Sequence, residues 1–467
     1  MQLTSLSASE MAHLVRRREI SAVELTQAHF DRIQCLNPAL NAFVHLQHDR
    51  AIDNARAADE SAAAHDNFPL LGVPVSIKSC IDTAGLPCEA GSRVRSEYVA
   101  ADDATLVKRL KAAGAIILGN TNCAEMLMAY DTDNVLHGRT CNPYDRSRTA
   151  GGSSGGDAAV VASGMGALGV GSDGGGSVRV PAHFCGICGL KPTPGRISAT
   201  GHFPPSVGPF STMGVVGPMA RSIRDLRLMF SVIAGPDFAD PVAADYVVRD
   251  FDDASIPKLR IGVVELSRTS VSAETIAAVN RAARILEHAG AAVEHFRSPS
   301  FECAERLWRT LFVRIAGGML VAKAVAGHEE ELSPALRKFL AIATGPPAVT
   351  ADELLETLIE RDLVRQGFLT EIQSYDALVL PVCAGPAFRH GEGGWDDSFT
   401  ANYLRDMRYS QWFNLLGLPA VSLPLDRSAE GLPIGVQIVA HPFQESLLLA
   451  VAESVEKESG WTHAALA

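Results

Sequence analysis

No run of about eighteen apolar residues occurs in this 467-residue chain, so no bilayer-spanning helix and no membrane partner are expected. The opening MQLTSLSASEM lacks the charged start and apolar block of a secretory leader, which points to a cytoplasmic protein. Positive charge is scarce. Against 53 Asp and Glu stand 41 Lys and Arg, giving a net charge of −12. That balance argues against nucleic acid as the main ligand. The nine cysteines are odd in number and scattered. Cys185 and Cys188 form one C-x-x-C without a second pair, two ligands short of a zinc site, and read as small buried hydrophobes. No internal repeat is visible. With 47% hydrophobic and 20% charged residues, the chain can bury one large core or two.

Glycine is plentiful, and it gathers around two serines. Ser153 lies in Gly151-Gly152-Ser153-Ser154-Gly155-Gly156, and Ser177 follows Gly174-Gly175-Gly176. Three glycines in a row let the backbone approach a ligand and present successive N–H groups, as an oxyanion hole requires. By composition the GGSSGG run is a linker. The Asp157-Ala-Ala-Val-Val-Ala that follows instead reads as a buried helix, whose N-terminus favours anionic groups. A serine nucleophile needs a base within reach. A lysine can serve in place of histidine once burial or a nearby cation leaves it uncharged. Lys78 ends an alternation of Val73, Val75 and Ile77 and can point from a strand end into a semi-buried site. Taken alone, such a lysine would be read as solvated.

Together these segments resemble the amidase signature family. GGSSGG is followed by Asp173-Gly174-Gly175-Gly176-Ser177-Val178-Arg179, then by Pro181 and Gly189-Leu190-Lys191-Pro192-Thr193. Lys78 stands 75 residues before Ser153, and Ser177 stands 24 after it. AGAIILGNTN at 113–122, RTCNPYD at 139–145, FNLLGLPAVSLPL at 413–425 and GLPIGVQIVA at 431–440 extend the likeness, which is weakest over about 230–370. The resemblance implies an α/β fold of one large domain, 1–467, with a mixed central β-sheet covered by helices on both faces. It implies Ser177 as acylated nucleophile, Ser153 as bridging serine on a cis peptide bond, and Lys78 as general base. The amides of Gly174, Gly175, Gly176 and Ser177 would bind the oxyanion, and Leu127 would line the acyl pocket. Ser154 and Asp173 would support the site, with Arg179 a structural charge partner. The family implies no metal and no organic cofactor, a small-molecule amide as substrate, and is compatible with a homodimer. Many members carry Thr or Ile where Gly174 stands, so a side chain near the substrate is missing here.

The remaining chain reads as alternating helix and strand, the pattern of a sheet covered on both faces. Ser7-x-x-Glu10 and Ser21-x-x-Glu24 fit capping boxes. Further helices are predicted over 50–64, 105–113, 221–233, 273–290, within 303–370 and over 445–458. Strands are predicted over 71–78, 115–118, 258–264, 291–296, 377–381, 418–425 and 434–440. Leu354, Leu355, Leu358 and Ile359 fall at helical spacing and read as a core-facing stripe. In the polar loop over 130–148, His137 reads as a surface or packing residue rather than a catalyst. Trp395, in a glycine-rich loop, reads as a surface anchor rather than a pocket cap.

The expected activity is hydrolysis of a carboxylic amide through a Ser177 acyl-enzyme. The alternative is the amidase subunit of a glutamyl-tRNA amidotransferase, which releases ammonia from glutamine for a partner subunit. Met126, Leu127 and Met128 favour the first, offering no evident pocket for a polar glutamine. A G-x-S-x-G esterase with Ser154 and His441 fails, because the motif needs a strand before it and RSRTA is turn-like. A binding protein with a decayed site is disfavoured, since all three expected catalytic residues are present.

Overall fold

Both capping boxes form. The Ser7 Oγ accepts from the Glu10 N–H at 3.2 Å while the Glu10 carboxylate accepts from the Ser7 N–H at 2.9 Å. Ser21 and Glu24 repeat the exchange at 3.0 Å in each direction. They open α1 (Ala8–Arg16) and α2 (Ala22–Leu40). The computed structural model describes residues 2–61, 68–246, 253–266, 270–392 and 404–463, so Trp395 lies outside the described residues.

The further helices are α3 (His48–Ser61), α4 (Thr105–Ala112), α5 (Gly155–Ser163), α6 (Arg179–Cys185), α7 (Ile223–Ile233), α8 (Ala273–His288), α9 (Ser300–Trp308), α10 (Gly317–Ala324), α11 (Pro334–Thr344), α12 (Ala351–Glu371), α13 (Arg408–Leu415) and α14 (Glu445–Ser459). The strands are β1 (Phe43–Leu46), β2 (Pro74–Lys78), β3 (Ile116–Thr121), β4 (Leu168–Asp173), β5 (Cys188–Lys191), β6 (Val215–Ala220), β7 (Arg260–Val264), β8 (Ala292–Phe296), β9 (Ala377–Pro381), β10 (Ala420–Arg427) and β11 (Pro433–Ala440).

Among the described residues the strands form a single mixed sheet of eleven, in the order β1-β3-β2-β4-β6-β5-β10-β11-β9-β7-β8. The β3-β2-β4 and β9-β7-β8 runs are parallel, and the strands between them pair antiparallel. Residue alternation along the strands explains the two covering layers. On β9, Ala377 and Val379 enter one apolar core, while Leu378 and Leu380 enter a second on the opposite face. Such strands read as continuous apolar runs because neither side is solvated. The first core is closed by α1, α2, α5, α7, α8 and α14. The second is aromatic and closed by α9 to α13, with Phe301 stacked on Trp412 at 4.0 Å between centroids. Strands β1, β4, β5 and β6 escaped the sequence reading: β1 is four residues long and β4 carries Gly169 and Gly171. β5 is four residues long, and β6 carries Gly217 and Pro218, residues that argue against an interior strand.

The stripe on α12 divides. Leu354 and Leu358 pack against the aromatic core, but Leu355, Ile359 and Leu363 are 58%, 52% and 60% exposed. Four-residue steps keep these three on one line of the helix, turned outward. This corrects the expectation of a fully core-facing stripe. Neighbours on this one helix therefore differ sharply in what they stabilise. Phe368→Ala, which empties a fully buried ring position, is expected to cost about 3–5 kcal/mol in chemical denaturation. Leu363→Ala should stay within about 0.5 kcal/mol of the parent.

Candidate active site

Lys78 is the last residue of β2, flanked by β3 and β4 near the middle of the parallel run. Its side chain is wholly buried. The amine lies 2.7 Å from Ser153 Oγ, 2.9 Å from Ser154 Oγ and 3.2 Å from Ser172 Oγ. Ser172 was not singled out in the sequence, because nothing but its place on β4 opposite Lys78 gives it a role. The GGSSGG run is no linker. A Cβ at Gly152 would stand 2.6 Å from the Ala129 carbonyl, and one at Gly156 2.4 Å from that of Asn122. Glycine here lets backbone pass against backbone just before α5 and in its first turn. The Gly152–Ser153 peptide is cis. Ser154 N–H donates to the Ser177 carbonyl at 3.2 Å, which couples the two serine loops directly.

The second loop is set by a buried ion pair. Arg179 Nε donates to Asp173 Oδ2 and Nη2 to Oδ1, each at 3.0 Å. The same carboxylate accepts the backbone N–H groups of Gly176 at 2.7 Å and Val178 at 3.1 Å. Burial alone would raise the Asp173 pKa. The charge and hydrogen bonds of Arg179 outweigh it and hold the carboxyl well below the usual range. Arg179 also reaches Gln437 on β11 and Asn414 on α13. One expectation changes as a result. The Gly176 amide is committed to Asp173, so the free donors of the loop are the amides of Gly174, Gly175 and Ser177, which have no acceptor among the described residues.

The carbonyls of the triple glycine are held as well. Trp308 Nε1 donates to Gly174 O at 3.0 Å, and Tyr130 Oη donates to Gly175 O at 2.7 Å. With the Gly174 carbonyl tied back to Trp308, the Gly175 N–H of the same trans peptide is turned the other way. Gly174 lacks a side chain because the space is filled from elsewhere: a Cβ there would meet Phe312 Cε2 at 2.7 Å. Phe312 belongs to a π-helical segment, Arg309–Ala316, and stacks on Trp308 at 4.7 Å. π-helical turns often occur at functional sites. The sequence hid both aromatics within a segment that reads simply as helix.

Ser153, Ser177, Ser172 and Gly174 open on one narrow cavity, with Leu127, Met128, Phe210, Val215, Val216 and Phe312 as its apolar wall. Met126 is packed into the aromatic core and does not line it. The polar members of the wall include Ser206 and His202. Burial lowers the His202 pKa to about 4, so its ring is neutral at pH 7. No lysine or arginine lines the cavity, and Asp173, the single carboxylate there, is engaged by Arg179.

Other candidates fall away from the site. Ser154 Oγ is buried between Lys78 and the Ser172 backbone and does not reach the cavity. His441 bonds the Tyr375 carbonyl at 2.9 Å, so the esterase pairing has no geometry. Cys185 and Cys188 are buried and free. His137 is bound to Glu89, away from the cavity. Under the catalytic end of β2 lies a group the sequence missed. Asp157, on the first turn of α5, accepts from Ser76 at 2.9 Å and Thr121 at 2.8 Å. Burial raises its pKa to about 7, against the lowering effect of those bonds and of the Lys78 charge.

The Amidase family model matches residues 24–449. A glutamyl-tRNA(Gln) amidotransferase subunit of Moorella thermoacetica is 35% identical over 98% of each chain. Among solved structures, the chain is similar to a protein from a vestigial complex bearing on the origins of an s-triazine catabolic enzyme. The TM-score is 0.87 at 31% identity, over 97% of this chain and 99% of that one. It is also similar to 6-aminohexanoate cyclic dimer hydrolase, with a TM-score of 0.84 at 28% identity over the whole of both chains. No helix among the described residues is long and apolar enough to cross a membrane.

Asp157 gives a signed pH prediction. Its folded pKa of about 7 exceeds the 3.8 of the free side chain, so the folded state holds the extra proton between those values. Stability should therefore fall as pH rises through that window, by on the order of 4 kcal/mol at most for this group. Asp157→Asn should remove that slope, as read from denaturation midpoints of both proteins between pH 4 and 8.

Proposed function

The chain belongs to the amidase signature family, and on that premise we propose that it hydrolyses carboxylic amides through a Ser177 acyl-enzyme. The Ser177 hydroxyl attacks the amide carbon. Its proton passes to Ser153, and the Ser153 proton passes to the Lys78 amine. The developing oxyanion meets the amides of Gly174, Gly175 and Ser177. Collapse then expels ammonia or an amine, protonated by the reverse relay. Water repeats the cycle on the ester.

One observation carries this reading: the order of the hydroxyls around Lys78. Three hydroxyls surround the amine, those of Ser153, Ser154 and Ser172. Ser154 directs its hydroxyl proton to the Ser172 carbonyl at 3.3 Å, so it accepts from Lys78. Ser172 Oγ takes a second N–H. Lys78 Nζ also donates to Ser153 Oγ, the nearest of the three hydroxyls at 2.7 Å, and in the proposed reaction that contact reverses, the Ser153 hydroxyl giving its proton to the amine. The apolar wall and the lack of a free charge support an uncharged alkyl or aryl acyl group as substrate.

A second reading has its own support, and similarity favours it over the first. The Moorella relative is one subunit of a glutamyl-tRNA(Gln) amidotransferase, aligned over nearly the full length of both chains. On that reading the same relay releases ammonia from glutamine for a partner subunit. The two readings part on one measurement: the purified chain is assayed alone on acetamide, an aromatic amide, a long-chain amide and glutamine. Turnover of the apolar amides supports the first. Glutaminase activity appearing only with an amidotransferase partner supports the second.

Both readings share the relay, and it is tested directly. A fluorophosphonate adduct mapped by mass spectrometry is expected on Ser177 and absent from Ser177→Ala. Lys78→Ala should lower kcat by about 10²–10⁴-fold at neutral pH. Undiminished turnover in Lys78→Ala, or an adduct on any other residue, would sink the assignment.

A further inference from the structure

Three side chains from three distant segments meet outside the active site. His45 lies on β1, where a bulge between Phe43 and His45 shifts the pairing with β3. A bulge of this kind re-aims a side chain. Glu89 lies in the loop after β2, and His137 in the loop that leads on to Ser153. The Nε2 atoms of His45 and His137 lie 2.8 and 2.6 Å from the same oxygen, Glu89 Oε2. The two rings meet edge to face with centroids 5.4 Å apart. The two nitrogens and the oxygen all lie within 4.8 Å of one another.

The charge balance of this cluster is unusual. The Glu89 side chain is only 7% exposed, yet no lysine or arginine pairs with it among the described residues. A carboxylate taken that far out of water calls for a compensating cation. Its partners here are two imidazole Nε2 atoms, which carry no fixed charge. A divalent ion would supply that charge outright and bind all three groups. The backbone around the cluster is already fixed. His137 N–H donates to Asn134 Oδ1 at 2.8 Å, its carbonyl accepts from Asn41 Nδ2 at 2.6 Å, and Asn134 holds the Cys123 carbonyl at 2.9 Å. The histidine side chains are 24% and 21% exposed, which leaves an approach for the ion and for water on its open positions.

We propose that His45, Glu89 and His137 form a binding site for a divalent transition-metal ion of the zinc class, which staples β1 to the two loops flanking the catalytic strand. Two imidazoles and one carboxylate are a donor set suited to that ion. Each ring would keep its remaining proton at Nδ1 and turn an Nε2 lone pair to the metal. Apart from small side-chain shifts to reach bonding distance, nothing in the fold has to change. The site escapes a motif search because its ligands stand 44 and 48 residues apart.

The test uses the full chain, freed of metal by chelator and titrated with Zn²⁺ alone. Wild type is expected to bind one equivalent and to melt several degrees higher with it. His137→Ala and Glu89→Gln should each weaken that binding by about 100-fold or more, while His288→Ala, at an exposed position, should leave it unchanged. Because nine thiols are free, Co²⁺-loaded wild type provides a check that needs no variant. Its visible spectrum should show nitrogen and oxygen ligation without a thiolate charge-transfer band. Binding equal in wild type and both ligand variants, a thiolate band, or no stoichiometric binding would overturn the proposal.

Discussion

The Asp173–Arg179 pair fixes the geometry on which everything else in the site depends. A buried ion pair is weak evidence for net stability, since its desolvation offsets its attraction. What this one contributes is shape. Its carboxylate gathers the Gly176 and Val178 amides, and its guanidinium reaches β11 and α13 through Gln437 and Asn414. Asn414 in turn donates to the carbonyls of Asp173 and Met213. The turn carrying Ser177 is thus held from several directions at once. Groups so fully engaged have no alternative partners to relax towards, and a preorganised oxyanion site needs that rigidity.

The active site lies where two cores meet. The amine and hydroxyls belong to the polar seam around β2 and β4, built from the first 180 residues. The apolar wall of the cavity is completed by Phe312, with Trp308 behind it, from helices some 130 residues later. The polar seam and the apolar wall therefore come from different parts of the chain.

That division explains what could be read from the sequence. The catalytic seam is local in pattern: serines on glycine turns, a lysine at a strand end, caps ahead of helices. Each of these leaves a mark within a few residues. The aromatic wall leaves none, because Phe312 acts by filling the volume above Gly174, and a helix of mixed apolar residues does not announce which member points where. Asp157 drew no notice at the head of an alanine-rich helix, and it is its bonds to Ser76 on β2 and Thr121 on β3 that place it under the strand ending at Lys78. The Gly176 amide was misassigned because a glycine run shows how many donors exist, not which of them a neighbouring carboxylate has already claimed. Strands β5 and β6 were hidden by Gly217, Pro218 and brevity, which only a central place in a large sheet can override.

The fit of Phe312 over Gly174 also bears on how such a pocket could diversify. With ring carbon and virtual methyl 2.7 Å apart, the two positions are locked together. A larger residue at 174 would press on the ring, and a smaller one at 312 would leave a void in the cavity above the glycine. A change at either position therefore calls for an adjustment at the other, with the ring swinging aside or the glycine kept. Mutational drift should therefore widen this wall at Leu127 or Phe210 before it touches the glycine.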